Sequence, residues 1–131
     1  MIEIKVNVVI TPKQIAAVYQ EAEFDKSIEN EMRLKKMLTE TPLTISAWEK
    51  EELIGFVRCL TDFEYFCYIS DLVILPEYQG KKIGSRLLAE VQEYLGNRVL
   101  LTLRSEETAQ GFYQKIGYEK TDAMFRIHRE R

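Results

Sequence analysis

Between Leu72 and Arg86 the chain reads Leu-Val-Ile-Leu-Pro-Glu-Tyr-Gln-Gly-Lys-Lys-Ile-Gly-Ser-Arg. An apolar run stops at Pro76, a polar turn follows, and a helical pattern opens among Gly80 and Gly84. The N–H groups that open a helix have no intrahelical acceptor, and the helix dipole adds partial positive charge there. Such a turn suits an anion, a pyrophosphate in particular. Glycine lets backbone approach a ligand closely, and Lys81 or Lys82 can add full charge. The stretch is not a Walker loop, because Gly-x-x-x-x-Gly-Lys-Ser/Thr is absent, and it lacks the dinucleotide pattern Gly-x-Gly-x-x-Gly. An ordinary strand-to-helix connection with two turn glycines would look the same, so spacing alone leaves both readings open.

Other reactive residue types are sparse. His128 is the only histidine, and no Ser or Cys stands as its nucleophile partner, so a triad hydrolase is unsupported. Cys59 and Cys67 lack zinc-ligand spacing and are expected to be free thiols. No metal site is expected.

The elements that must position the turn follow from periodicity. Residues 2–10 alternate as a first strand. Thr11-Pro12 opens a helix to about residue 22, with Ile15, Val18, Tyr19 and Ala22 on one face. Asp25 or Ser27 is expected to cap a second helix carrying Ile28, Met32 and Leu38, ended by Pro42. Strands are expected at Leu43–Trp48, Leu53–Leu60 and Phe66–Leu75, joined by short turns as antiparallel hairpins. A hairpin symmetric about Phe63 would set Cys59 opposite Cys67. Ile83, Leu87, Leu88, Val91, Tyr94 and Leu95 recur at helical spacing until Gly96-Asn97. A strand at Val99–Leu103, a helix at Glu106–Ile116 and a last strand around Met124–His128 complete the reading. The strand-helix-strand unit over 66–103 suggests a parallel crossover. The fold class is therefore α/β (α+β): a mixed, mainly antiparallel sheet with helices on both faces.

Length and composition fit a single domain over residues 1–131 with a real core. The net charge is −3 and the basic runs are only Lys35-Lys36 and Lys81-Lys82, which disfavours a nucleic-acid partner. No stretch is apolar for long enough to cross a membrane, and the N-terminus lacks a signal-peptide profile, so a cytoplasmic location is expected.

Gln79-x-x-x-x-Gly84 after strand-Pro-x-Tyr, followed by Leu87-Leu88, resembles the acetyl-CoA motif of the GNAT N-acetyltransferase superfamily, Arg/Gln-x-x-Gly-x-Gly/Ala. Phe112-Tyr113-Gln114-Lys115-Ile116-Gly117-Tyr118 is similar to that family's second signature, Phe-Tyr-x-x-x-Gly-Phe. The resemblance spans most of the chain. It implies acetyl-CoA as co-substrate and a primary amine, of a small molecule or a protein, as acceptor. The backbone of Leu72, Val73 and Ile74 would pair with the pantetheine arm and offer an N–H to a developing oxyanion. Gln79, Gly80, Lys81, Lys82, Ile83, Gly84 and Ser85 would hold the pyrophosphate. Tyr113 would be the general acid to the leaving thiolate.

Two positions depart from the pattern: Lys82 stands at the middle glycine, and Glu106 at a frequent Asn, where Ser105 is the nearest substitute. Asp71 is the leading candidate for the base, with strand alternation placing it beside Ile69 and Val73. A structural ion pair with Arg58 is the equal alternative. The acceptor pocket is expected along the first two helices and near Phe24, Phe63 and Tyr65. A homodimer is compatible with the family, and so is a non-catalytic acyl-CoA-binding module.

Overall fold

Thr11 starts the first helix as its residue type suggests. Its hydroxyl accepts from the Gln14 N–H at 3.1 Å while the Gln14 side chain accepts from the Thr11 N–H at 2.9 Å, a reciprocal capping box. In the computed structural model, which describes residues 1–130, the elements are β1 (Ile2–Val6), α1 (Pro12–Glu21), α2 (Glu31–Glu40), β2 (Leu43–Glu49), β3 (Glu52–Thr61), β4 (Phe66–Ile74), α3 (Ile83–Leu95), β5 (Leu100–Leu103) and α4 (Gln110–Lys115). Turns of 3-10 helix lie at Pro76–Tyr78 and Glu107–Ala109.

The five strands form one sheet in chain order, β1-β2-β3-β4-β5. The first three pairings are antiparallel and β4 with β5 is parallel, as the crossover through α3 requires. Phe56 and Val57 are consecutive in β3 and both fully buried, so the sheet is covered on both sides. Tyr19 of α1 packs edge-on against Phe56 at 5.6 Å between centroids. On the other face, Val57 is opposite Leu72 in the ladder, and Leu72 lies against the first turn of α3. α1 contributes Ile15, Val18 and Tyr19 to the core, and α3 contributes Ile83, Leu87, Leu88 and Val91. Each such burial stabilises by about 1.5–3 kcal/mol relative to exposure.

A bulge decides what β4 presents. Arg58 is opposite Asp71, but the next residue, Cys59, is opposite Ile69, leaving Ser70 as the extra residue. Asp71 therefore shares the α1 face with Val73, and Ile69 lies on the other face with Cys59. Simple alternation grouped all three, and the inserted residue is what breaks it.

Four further expectations are corrected. β1 is shorter than expected, because Asn7 turns left-handed (φ 54°) and its side chain caps the Thr44 N–H. The second helix begins at Glu31, capped by Asn30 rather than Asp25 or Ser27. Cys67 is opposite Thr61 rather than Cys59. The β3–β4 turn is centred one residue later than Phe63: the Asp62 N–H donates to the Phe66 carbonyl at 3.3 Å, and one Asp62 carboxylate oxygen accepts from the N–H groups of Glu64, Tyr65 and Phe66. Both cysteines are free and buried. Residues 118–130 contain no strand, and Phe125 and Ile127 there are exposed. A two-residue apolar alternation suffices to read as a strand but does not supply a buried face. Among the described residues no helix is long and apolar enough to cross a membrane.

Candidate functional site

β5 pairs only with the first part of β4: Phe66, Cys67, Tyr68 and Ile69 are matched to Leu100 through Leu103. Beyond the bulge, Asp71 to Ile74 pair with β3 alone. The backbone of Leu72, Val73 and Ile74 is thus free of a strand partner on its β5 side. The three residues expected to meet an extended ligand arm are the ones the ladder leaves open.

The chain leaves β4 through the 3-10 turn and reaches α3. The side-chain amide of Gln79 donates to the Ile74 carbonyl at 3.0 Å. It ties the turn back to the strand it left. Lys81 lies over the Tyr78 ring at 5.4 Å. Gly80 has φ 78° with no atom within 4 Å of the place a Cβ would take, so it supplies both the left-handed turn and open space above it. Lys82 is the N-cap of α3, is itself left-handed (φ 64°, ψ 18°) and makes no side-chain capping bond. The first N–H groups of this 13-residue helix, those around Ile83, Gly84 and Ser85, are therefore not capped by a side chain. That is the donor set a pyrophosphate needs.

Lys82 pays for its place in backbone strain, since the left-handed region costs a residue with a Cβ about 1–2 kcal/mol. After the extra unfolded-state entropy of glycine is subtracted, Lys82→Gly is expected to stabilise the chain by about 0.5–1 kcal/mol. A higher melting temperature checks this; an unchanged or lower one removes the strain argument.

Gly84 joins the two signatures. A Cβ there would lie 3.7 Å from the Phe112 ring and 3.8 Å from Leu72. The first turn of α3, the open part of β4 and α4 consequently meet at one point. Tyr113 follows Phe112 in α4, its ring 5.0 Å from that of Phe112 and 5.7 Å from that of Tyr118. Burial pushes the Tyr113 phenol above its ordinary value. Tyr118 is pushed up to about 12 by burial, then by Tyr113 and the two thiols. Its hydroxyl is buried without a hydrogen-bond partner. A groove of about 1180 Å³ lies between β5 and residues 118–126, with Tyr113 on its wall, and does not reach the Gly80–Ser85 turn.

Asp71 sits on the opposite face of the sheet in a polar cluster. Its Oδ2 accepts from Arg58 Nε at 2.5 Å and from the Tyr19 hydroxyl. Arg58 also donates to the Thr41 hydroxyl at 2.9 Å and the Ser70 hydroxyl at 3.3 Å. Burial disfavours the guanidinium charge, but Asp71 and Tyr19 together outweigh it and hold Arg58 above its usual value. Burial and then the Asp71 charge push the Tyr19 phenol up. The partners Tyr19, Thr41 and Ser70 were not legible as site residues. Tyr19 reads as one more apolar position on α1, and Ser70 reaches this face only through the bulge.

Other expected positions lie elsewhere. Phe63 packs on Tyr94 near the end of α3, about 20 Å along that helix from Lys82 at ~1.5 Å per residue. Phe63 and Tyr65 therefore do not border the turn, whereas Phe24 stacks on Tyr19 beside Asp71. Glu106 precedes α4 with its side chain making no cap, and the Ser105 hydroxyl donates to the Glu106 carbonyl.

A family model described as "Acetyltransferase (GNAT) domain" matches residues 8–128. The [ribosomal protein bS18]-alanine N-acetyltransferase of Haemophilus influenzae is 31% identical over 93 residues, which are 68% of this chain and 63% of that one. The chain spans only 28% to 51% of three other curated relatives, also N-acetyltransferases by name or family. A probable acetyltransferase from meticillin-resistant Staphylococcus aureus superposes over 100% of both chains with a TM-score of 0.85 at 22% identity. The aminoglycoside N-acetyltransferase AAC(6')-Iy, solved with CoA, gives a TM-score of 0.73 at 15% identity, covering 100% of this chain and 95% of that one. With its open β4, its uncapped α3 and a family match over nearly its whole length, the chain belongs to the GNAT acetyltransferase family.

Proposed function

We propose that the chain is an acetyl-CoA-dependent N-acetyltransferase that moves an acetyl group onto a primary amine of a small molecule or a protein. One observation carries the reading: from Ser70 to Ile74 β4 has no partner on its β5 side, directly beside the uncapped start of α3. An extended amide-bearing arm ending in a pyrophosphate fits that combination, with Leu72–Ile74 pairing the arm and Gly80–Ser85 holding the phosphates. AAC(6')-Iy, of the same fold, was solved with CoA, and the Haemophilus relative is named for a protein amine. Acetyl-CoA supplies the activated acetyl thioester.

The residues divide the proton work across the sheet. Asp71 Oδ1, on the α1 face, takes a proton from the acceptor ammonium, leaving a neutral amine to attack the acyl carbon. A β4 backbone N–H between Leu72 and Ile74 steadies the negative charge that grows on the carbonyl oxygen. As the C–N bond forms and the C–S bond breaks, Tyr113, on the α3 and α4 face, gives its proton to the sulfur. The attacking nitrogen sheds its surplus proton to water, from which the Tyr113 phenolate is reprotonated. Acid and base on opposite faces suit a thioester lying in the opening between β4 and β5. We place the protein in the cytoplasm, where its two free thiols stay reduced.

The strained Lys82 and the non-capping Glu106 favour a second reading, a module that binds acyl-CoA without turnover. Thermal melts with acetyl-CoA and thiol release across an amine panel separate the two. A raised melting temperature with thiol release supports the enzyme. Saturable binding with no release on any amine supports the module, and no binding sinks both.

A further inference from the structure

We propose that Lys26 occupies the acceptor's ammonium position at Asp71 in the resting protein and must leave for a primary amine to bind. This deepens the acetyltransferase reading and rests on it for the identity of the occupant.

The two oxygens of Asp71 are used unequally. Oδ2 holds both Arg58 and Tyr19. Oδ1 is buried and accepts no hydrogen bond, and Lys26 Nζ stands 3.5 Å from it. A carboxylate oxygen offers two lone pairs, so leaving both unused in a buried site is costly. Arg58 already neutralises the carboxylate, so Lys26 is surplus to its charge balance. Its contact is also loose beside the 2.5 Å Arg58 bond.

Lys26 is placed to come and go. Its side chain is 31% exposed, whereas that of Asp71 is fully buried. It belongs to the connection between α1 and α2, which holds no helix or strand from Ala22 to Asn30. Glu23, at the start of this connection, is left-handed with φ 53°. The Lys26 N–H is held by the Phe24 carbonyl at 2.8 Å, which fixes the root of the side chain and leaves its four-carbon stem free to swing. Swung out, it uncovers an anionic oxygen shaped for one primary ammonium, because a primary ammonium already sits there. Asp71 directly precedes Leu72, and a strand rises about 3.3 Å per residue, so the position adjoins the open part of β4.

An internal occupant lowers apparent acceptor affinity by the fraction of time the site is open. Lys26→Met is expected to lower the KM for primary amines about three- to tenfold, for an open fraction of roughly a tenth to a third. Its KM for acetyl-CoA and its kcat stay at wild-type values. A merely structural lysine would instead lower the melting temperature and leave the amine KM unchanged, and that result overturns the proposal.

A second readout needs no turnover. Ethylammonium chloride is expected to raise the melting temperature of Lys26→Ala by a few degrees, as binding to the native state does. Tetramethylammonium chloride at equal ionic strength does not, having no N–H to give Oδ1. Equal responses to the two salts would also overturn the proposal. If ethylammonium stabilises Lys26→Ala while no amine is turned over, the ammonium site stands and the acetyltransferase reading falls. If wild type acetylates amines and Lys26→Met leaves their KM unchanged, the reading stands and the Lys26 proposal falls.

Discussion

Arg58→Met is expected to cost the folded chain about 3–5 kcal/mol. The substitution keeps the bulk of the stem and removes the guanidinium from a carboxylate whose side chain is wholly buried. Asp71 is then left in the core with the Tyr19 hydroxyl and only the loose, partly exposed Lys26 contact at 3.5 Å. The Thr41 and Ser70 hydroxyls lose their donor at the same time. Domains of this kind hold only about 5–15 kcal/mol in total, so the loss takes a large part of it. Urea unfolding measures it as a lower midpoint at an unchanged slope. Replacing both partners, Arg58→Met with Asp71→Leu, should recover most of the stability, because no charge then remains buried alone. A single variant within about 1 kcal/mol of wild type would mean the pair is effectively solvated. The double variant also bears on function: a stable chain with no turnover would tie the carboxylate to chemistry rather than to folding.

The second large effect concerns Tyr113. Tyr113→Phe removes one oxygen and keeps the ring contacts with Phe112 and Tyr118, so the fold and coenzyme binding should persist. Turnover is expected to fall about 10²–10⁴-fold, the usual worth of a positioned acid. The pH dependence has a definite sign. Burial holds the phenol above its ordinary value of about 10, so the acid stays protonated through neutral and mildly alkaline pH. Loss of the acid form limits the rate only as pH rises past that raised value. Steady-state rates with saturating amine, together with the acetyl-CoA-induced shift in melting temperature, test both halves. Wild-type turnover in Tyr113→Phe would remove the assignment. In that event Tyr118, with its buried and unpartnered hydroxyl, becomes the group to replace.

What the sequence revealed and what it hid divide along physical lines. Helices α1 and α3 were legible because each carries its own stop and start chemistry: the Thr11-Pro12 cap and the apolar spacing from Ile83 to Leu95 are local facts. The turn from Gln79 to Ser85 was legible for the same reason, but the positive φ of Lys82 was not, because glycine and not lysine signals that region. The environment of Asp71 was only half legible. Its pairing with Arg58 follows from strand adjacency, but its face depends on one inserted residue, Ser70, which leaves no mark in composition or period. The β3–β4 register was missed because the turn centres one residue later than Phe63, where Asp62 collects the N–H groups of Glu64, Tyr65 and Phe66. The expected strand near Met124 failed because alternation states a tendency and burial decides it; Phe125 and Ile127 find nothing to cover them.

The order of the strands has a consequence for how the chain acquires its shape. Because β1 to β5 lie side by side in the order they occur, β2, β3 and β4 can zip together through short loops at small entropic cost. The pairings of β1 with β2 and of β4 with β5 are the exceptions, since the first must wait for α1 and α2 and the second for α3 to close the connection. The seat proposed for acetyl-CoA lies at the β4–β5 junction and is expected to assemble after the central hairpins. In pulse-labelled hydrogen exchange, the amides of Leu100–Leu103 should then gain protection after those of β2 and β3, and simultaneous protection would refute this order. A chain emerging from synthesis would pass through a state with most of its sheet and no place yet for its co-substrate.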